Sequence, residues 1–125
     1  MAKACSTTAD RVQDYGVALD RSSQLEGFTV NFVTITKSHD LAPMLAALPT
    51  GKCTCPHWGY VIKGRVTIRY DDHEEVLEAG DAFYMPPGHA PEATAGTELI
   101  QISPAAELAE VEAALMKSMQ ESRPT

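Results

Sequence analysis

Cys53-Thr54-Cys55-Pro56-His57-Trp58-Gly59-Tyr60-Val61-Ile62-Lys63-Gly64-Arg65-Val66 carries the most informative pattern in the chain. Tyr60-Val61-Ile62 runs into a turn at Lys63-Gly64. Val66, Ile68 and Tyr70 then recur at every second position, between the polar Arg65, Thr67 and Arg69. That alternation predicts a half-buried strand. Asp71-Asp72-His73 reads as a hairpin turn, Glu74 to Leu77 as the return strand, and Ala79-Gly80-Asp81 as the next turn before Ala82 to Met85. Pro86-Pro87-Gly88 forces a rigid bend, because two fixed φ angles and a glycine do not continue a strand. Thr97 to Ile102 forms a last strand. Short strands separated by turns at intervals of about ten residues predict an all-β sandwich or barrel.

Upstream, Val17 to Ser22 reads as a short edge strand, and Gly27 opens a longer one. There Phe28, Val30, Phe32, Thr34 and Thr36 alternate with Thr29, Asn31, Val33 and Ile35, a β-branched run. Asp40 is a candidate N-cap for a short helix through Leu41, Met44, Leu45 and Leu48, ended by Pro49-Thr50-Gly51. Downstream, Ser103 is placed to cap a helix with Pro104 in its first turn. Leu108, Val111, Leu115 and Met119 fall on one face of it, to pack on the barrel or on a partner subunit. Residues 1–10 read as a flexible leader and residues 11–125 as one domain, with a frayed end from Glu121 to Thr125.

A chain of 125 residues suits one domain with its own core. Its 44% hydrophobic and 22% charged residues are the balance of an ordinary soluble globular protein. The formal charge of −7 repels phosphate backbones and anionic lipids, which argues against nucleic acid and membrane partners. Nothing in the sequence approaches the roughly 20 apolar residues of a membrane span. Three cysteines, an odd count, with no export signal at the start, point to the reducing cytoplasm.

In an extended chain, Cys53, Cys55 and His57 project to one face. Two thiols and an imidazole so aligned make a metal-ligand set, suited to zinc first and iron second. Ordinary burial of the same residues is an equal reading on spacing alone, since cysteine often acts as a small hydrophobe. His89, directly after the Pro86-Pro87-Gly88 bend, is placed to reach the barrel mouth. His39 and His73 read as surface residues.

The stretch from His57 to Val66, then Glu78-Ala79-Gly80-Asp81, then Pro86-Pro87-Gly88, resembles the two sequence motifs of the cupin superfamily. The resemblance covers Cys53 to Ile102 and implies a single-domain cupin: a double-stranded β-helix, or jelly-roll barrel, with a short helix before the motif and a C-terminal helix. The layout is similar to small bacterial cupins. The first motif has a metal-ligating Glu, six residues, then Gly; counting back from Gly64 places His57 at the Glu position. The two histidines of its His-x-His pair fall on Gly51 and Cys53. The second motif matches Gly80, Pro86 and Gly88, but Pro91 stands at its histidine position, with His89 two residues earlier. This departure from the family's ligand set leaves either a variant metal site built from Cys53, Cys55, His57 and His89 or a site that binds without metal, and the clustering of the soft donors on one strand and one bend favours the first.

The expected function is that of a metal-binding cupin which binds or acts on a small molecule in the barrel pocket, a candidate metal-dependent enzyme whose reaction and catalytic residues the sequence does not specify. Trp58, Tyr60 and Glu92 are candidates for substrate contact or proton transfer. The alternatives are a non-catalytic binding module and a closed structural zinc site, and the number of protein ligands separates them: three with an open position for catalysis, four for structure. The expected partner is a second copy of the chain, paired through the early strand from Gly27.

Overall fold

The computed structural model describes residues 3–46 and 48–121, without the side chains of Ser118, Met119 and Glu121. The outermost residues of the expected leader and the expected frayed tail, Met1 to Ala2 and 122–125, lie outside the described residues, as does the side chain of Met119.

Ten strands and two helices follow in order: β1 Arg11–Asp14, β2 Ala18–Leu25, β3 Phe28–Ile35, β4 His39–Asp40, α1 Ala42–Leu45, β5 His57–Lys63, β6 Arg65–Arg69, β7 Glu74–Glu78, β8 Ala82–Met85, β9 Ala90–Ala93, β10 Glu98–Pro104 and α2 Ala105–Glu121. The strands form two antiparallel sheets. One has six strands in the order β1-β2-β3-β10-β5-β8, the other four in the order β4-β9-β6-β7. This is the expected jelly-roll arrangement, with a short helix and a C-terminal helix. The alternation from Tyr60 to Met85 becomes β5 to β8 with the turns where the glycines place them. Gly64, at φ +89°, and Gly80, at φ +96°, occupy the left-handed region that favours glycine.

Ala18, Ile35, Val61, Val66, Ile68, Phe83 and Leu99 fill the space between the sheets. A second apolar cluster closes one end of the barrel. Leu108 and Val111 of α2, with Leu115 beside them, pack there on Leu45 of α1, Ala90, Cys53 and Cys55. The apolar stripe of α2 thus covers the barrel of its own chain. Among the described residues, no helix is long and apolar enough to cross a membrane.

Several local expectations are corrected. The strand foreseen at 17–22 is not at an edge: β2 lies between β1 and β3. Nor has β3 a free edge, since β2 and β10 pair with its two sides, so strand addition to a partner there is excluded. His39 and Asp40 form β4 against β9, and α1 begins after them, although Asp40 Oδ1 still accepts the Ala42 N–H at 2.9 Å. Ser103 and Pro104 end β10 instead of starting α2, because they pair with Thr29 and Phe28. Pairing with a neighbouring strand outweighs a local capping preference.

Candidate metal centre

The local chain path decides which donors meet. Residues 51–56 are not a strand. Cys53 makes one antiparallel bridge to His89, the chain bends at Cys55, and Pro56 precedes the first residue of β5, His57. The bend breaks the alternation that would have set Cys53, Cys55 and His57 on one face. The Cys53 N–H donates to the His89 carbonyl at 3.0 Å, and the Gly88 N–H donates to the Cys53 carbonyl at 2.9 Å. The rigid 86–88 bend therefore delivers His89 beside Cys53, and Gly88, at φ +96°, turns the chain there.

The result is a buried group of Cys53, His57 and His89, whose donor atoms all lie within 4.8 Å of one another. The imidazole rings of His57 and His89 meet edge to face at 4.8 Å, and Cys53 Sγ lies 3.5 Å from His57 Nε2. Cys55 is outside this group. Its thiol is fully buried in the apolar cluster under α2 and points to the Pro56 carbonyl. Burial pushes its pKa up to about 12, which keeps it protonated.

The donor chemistry fits a metal ion. His89 Nδ1 donates to the Pro86 carbonyl at 2.7 Å, which leaves Nε2 with its lone pair free. His57 Nδ1 is held by the Ser103 hydroxyl at 2.6 Å, with Nε2 turned towards Cys53. Fixing the far nitrogen of each imidazole in this way is how ligating histidines are oriented. Sequence reasoning missed Ser103 because it read the residue as a helix cap. Burial pushes the Cys53 thiol up, so a metal taken up as thiolate ligation requires would release a proton.

Burial, and secondarily the neighbouring His89, lowers the His57 pKa to about 3. His89 is lowered too, by burial. Above about pH 6.5 these rings are neutral in folded and unfolded chains alike and carry no penalty. Below that value the unfolded chain takes up the protons first, and for His57 this persists down to about 3. The metal-free protein is therefore expected to lose stability on acidification below about pH 6.5, with His57 contributing on the order of 1.4 kcal/mol per pH unit once its unfolded-state ring is protonated. Urea unfolding of chelator-treated protein at several pH values checks this, and a flat profile between about pH 6.5 and 5 would contradict it.

A cavity of about 180 Å³ opens beside the group. Cys53, His57 and His89 line it, with Met85, Val33, Ile35 and Leu99 as apolar wall. His39, expected at the surface, also lines it. The three candidates for substrate contact do not. Trp58 and Tyr60 stand half-exposed on the outer face of the sheet. Glu92 is engaged by Arg69, which also binds Asp40 and Glu74.

The two antiparallel sheets make a small jelly-roll domain with imidazole and thiol donors gathered at its cavity. Residues 54–98 match the family model described as "Cupin domain". In fold the chain is similar to an RmlC-like cupin from Shewanella frigidimarina, at 20% identity and a TM-score of 0.57, over 81% of this chain and 88% of that one. It is also similar to a structural-genomics protein of unknown function from Rhizobium leguminosarum, at 18% identity and a TM-score of 0.59, over 82% and 94% of the two chains. A third similar structure is KdgF from Halomonas sp., at 18% identity and a TM-score of 0.52, over 75% and 87%. No curated protein matches the chain in sequence.

Proposed function

We propose that Cys53, His57 and His89 hold one divalent metal ion, zinc in first place and iron in second, and that the domain is a metal-dependent enzyme acting on a small molecule in the adjoining cavity. The observation that carries this reading is the number of donors. Three converge, and Cys55, the fourth that a closed structural site would need, is turned into the apolar cluster. Three protein ligands leave a coordination position for water or substrate, as catalytic sites require. Bound there, the ion would supply a Lewis acid at the cavity wall. The protein's own residues supply orientation: Ser103 and the Pro86 carbonyl fix the two rings, and Val33, Ile35, Met85 and Leu99 give the adjoining cavity an apolar wall. Elemental analysis of protein purified without chelator or added metal tests the reading, with about one ion per chain as the expected ratio.

We propose further that the chain forms a homodimer through the outer face of its six-stranded sheet. Along β5, the inward side takes His57, Gly59 and Val61 and the outward side Trp58, Tyr60 and Ile62. Trp58 is paired between Ile102 and Tyr84, and Tyr60 between Ile100 and Ala82. Over β5, β8 and β10 these two rows carry no charge, and the second continues through Phe32 to Arg21 of β2. Phe28, Trp58, Tyr60, Ile62, Tyr84 and Ile102 are each 38–49% exposed. Six such side chains present roughly 600 Å² of mainly apolar surface, against about 800 Å² per partner in a standard stable interface. The occupant is a second copy because the uncharged patch on β5, β8 and β10 meets itself across a two-fold axis without repulsion, in a chain whose formal charge is −7. Light scattering at micromolar concentration is expected to give twice the chain mass, and Trp58→Glu to halve it. A monomeric wild-type mass would refute the interface.

A further inference from the structure

The cavity has a second polar region, which the metal reading does not use. Asp20 of β2, Asn31 of β3 and Gln101 of β10 all line it. Gln101 pairs with Asn31 on one side and with Gly59 on the other. Gly59 lies two positions from His57 on the same inward side of β5. The polar row and the Cys53–His57–His89 group thus face one cavity, with β10 between Asn31 and β5.

Asn31 is only 2% exposed. Its Nδ2 lies 3.0 Å from each carboxylate oxygen of Asp20, which fixes the amide with nitrogen towards the carboxylate and oxygen away. Asn31 Oδ1 is buried with no hydrogen-bond partner among the described residues. An unpaired buried acceptor is costly and calls for a donor. Two further acceptor-bearing groups close the same cavity: Glu112 of α2, and Tyr15, whose hydroxyl reaches Glu112 at 3.5 Å. Among the described residues lining the cavity there is no lysine or arginine. Arg11 lies outside the lining and pairs with Glu112.

We infer that this end of the cavity is an acceptor site for the hydroxyl or ammonium head of a small amphipathic molecule, and that it turns away carboxylates and phosphates. The inference rests on the cavity being the substrate site of the proposed function. Asp20 and Glu112, offset in part by Arg11, leave the region with a net negative charge, so a neutral or cationic donor is held and an anion is repelled. Val33, Ile35, Met85 and Leu99 give the body of the ligand an apolar wall, and polar groups at one end set its orientation.

Three probes of equal chain length test this on the purified protein: n-butylammonium, 1-butanol and butyrate, titrated calorimetrically. Butylammonium and butanol are expected to bind at least about tenfold more tightly than butyrate. Asp20→Asn, with unchanged circular dichroism, is expected to abolish the preference for butylammonium over butyrate. If that variant does not fold, Glu112→Gln on α2 is expected to lower the same ratio. Equal binding of butylammonium and butyrate by chelator-treated protein, where butyrate has no metal to ligate, or an unchanged ratio there in the folded variant, would overturn the inference. Repeating the titrations on chelator-treated protein separates the two readings. A preference that persists there belongs to the acceptor site whether or not the purified protein contains metal. Because a bound cation would attract butyrate and repel butylammonium, a preference that is absent after chelation cannot be ascribed to the metal and overturns the acceptor site. Absence of metal in the purified protein would overturn the metal centre alone.

Discussion

His57→Ala is expected to lower the metal content of the purified protein from about one ion per chain by about tenfold or more, since loss of an orienting partner alone typically weakens a site 10–100-fold. The reason is geometric. His57 is the middle donor of the group, 3.5 Å from Cys53 Sγ and with its ring 4.8 Å from that of His89. Removing it leaves two donors, too few to compete with water and buffer. Cys53→Ser is expected to behave alike, because a hydroxyl is a poor substitute for a thiolate. Cys55→Ser is expected to leave the metal content unchanged while lowering stability, as it places a hydroxyl in the apolar cluster beneath α2. Ser103→Ala frees His57 Nδ1 and is expected to weaken binding by about tenfold. Wild-type metal content in His57→Ala would remove that residue from the centre. Loss in Cys55→Ser equal to that in Cys53→Ser would argue for a fourth ligand and a closed site.

Gly59→Ala is expected to destabilise the fold by about 3 kcal/mol, the upper end of what overpacking costs. A Cβ at this position would lie 2.1 Å from the Ile100 carbonyl oxygen and 2.4 Å from the Phe83 ring. The carbonyl belongs to the β5–β10 ladder and has no freedom to retreat, while Phe83 is buried in the core between the sheets. The missing side chain is thus what lets Phe83 lie across β5. Gly96→Ala makes the matched comparison. Gly96 has φ +89° with open space around the added atom, so only backbone strain enters, on the order of 1 kcal/mol. Urea midpoints at constant slope decide between them. A cost at Gly59 no larger than that at Gly96 would show that the sheet yields where the structure has it rigid.

How far the sequence alone determined this protein follows from the range of the forces involved. The strands from Tyr60 to Met85 and their turns are set by alternation within each segment and by glycines and prolines whose φ limits act on one or two residues. The cupin motifs add the barrel, and with it the proximity of Cys53, His57 and the 86–88 bend. Three features depended on contacts between segments far apart in the chain. Ser103 is a strand residue holding His57 because Pro104 pairs with Phe28; a local capping signal cannot report that competition. Cys55 leaves the donor group because the chain bends there, with its thiol seated under α2, so a period of two counted along 53, 55 and 57 had no strand to act in. On β3 the alternation was plain, but its two faces are nearly equal in apolar character. Tertiary packing turned Asn31, Val33 and Ile35 towards the cavity and left Phe28 half-exposed outside. Pattern fixes which residues share a face; only the second sheet, by covering one side, decides which face is the interior.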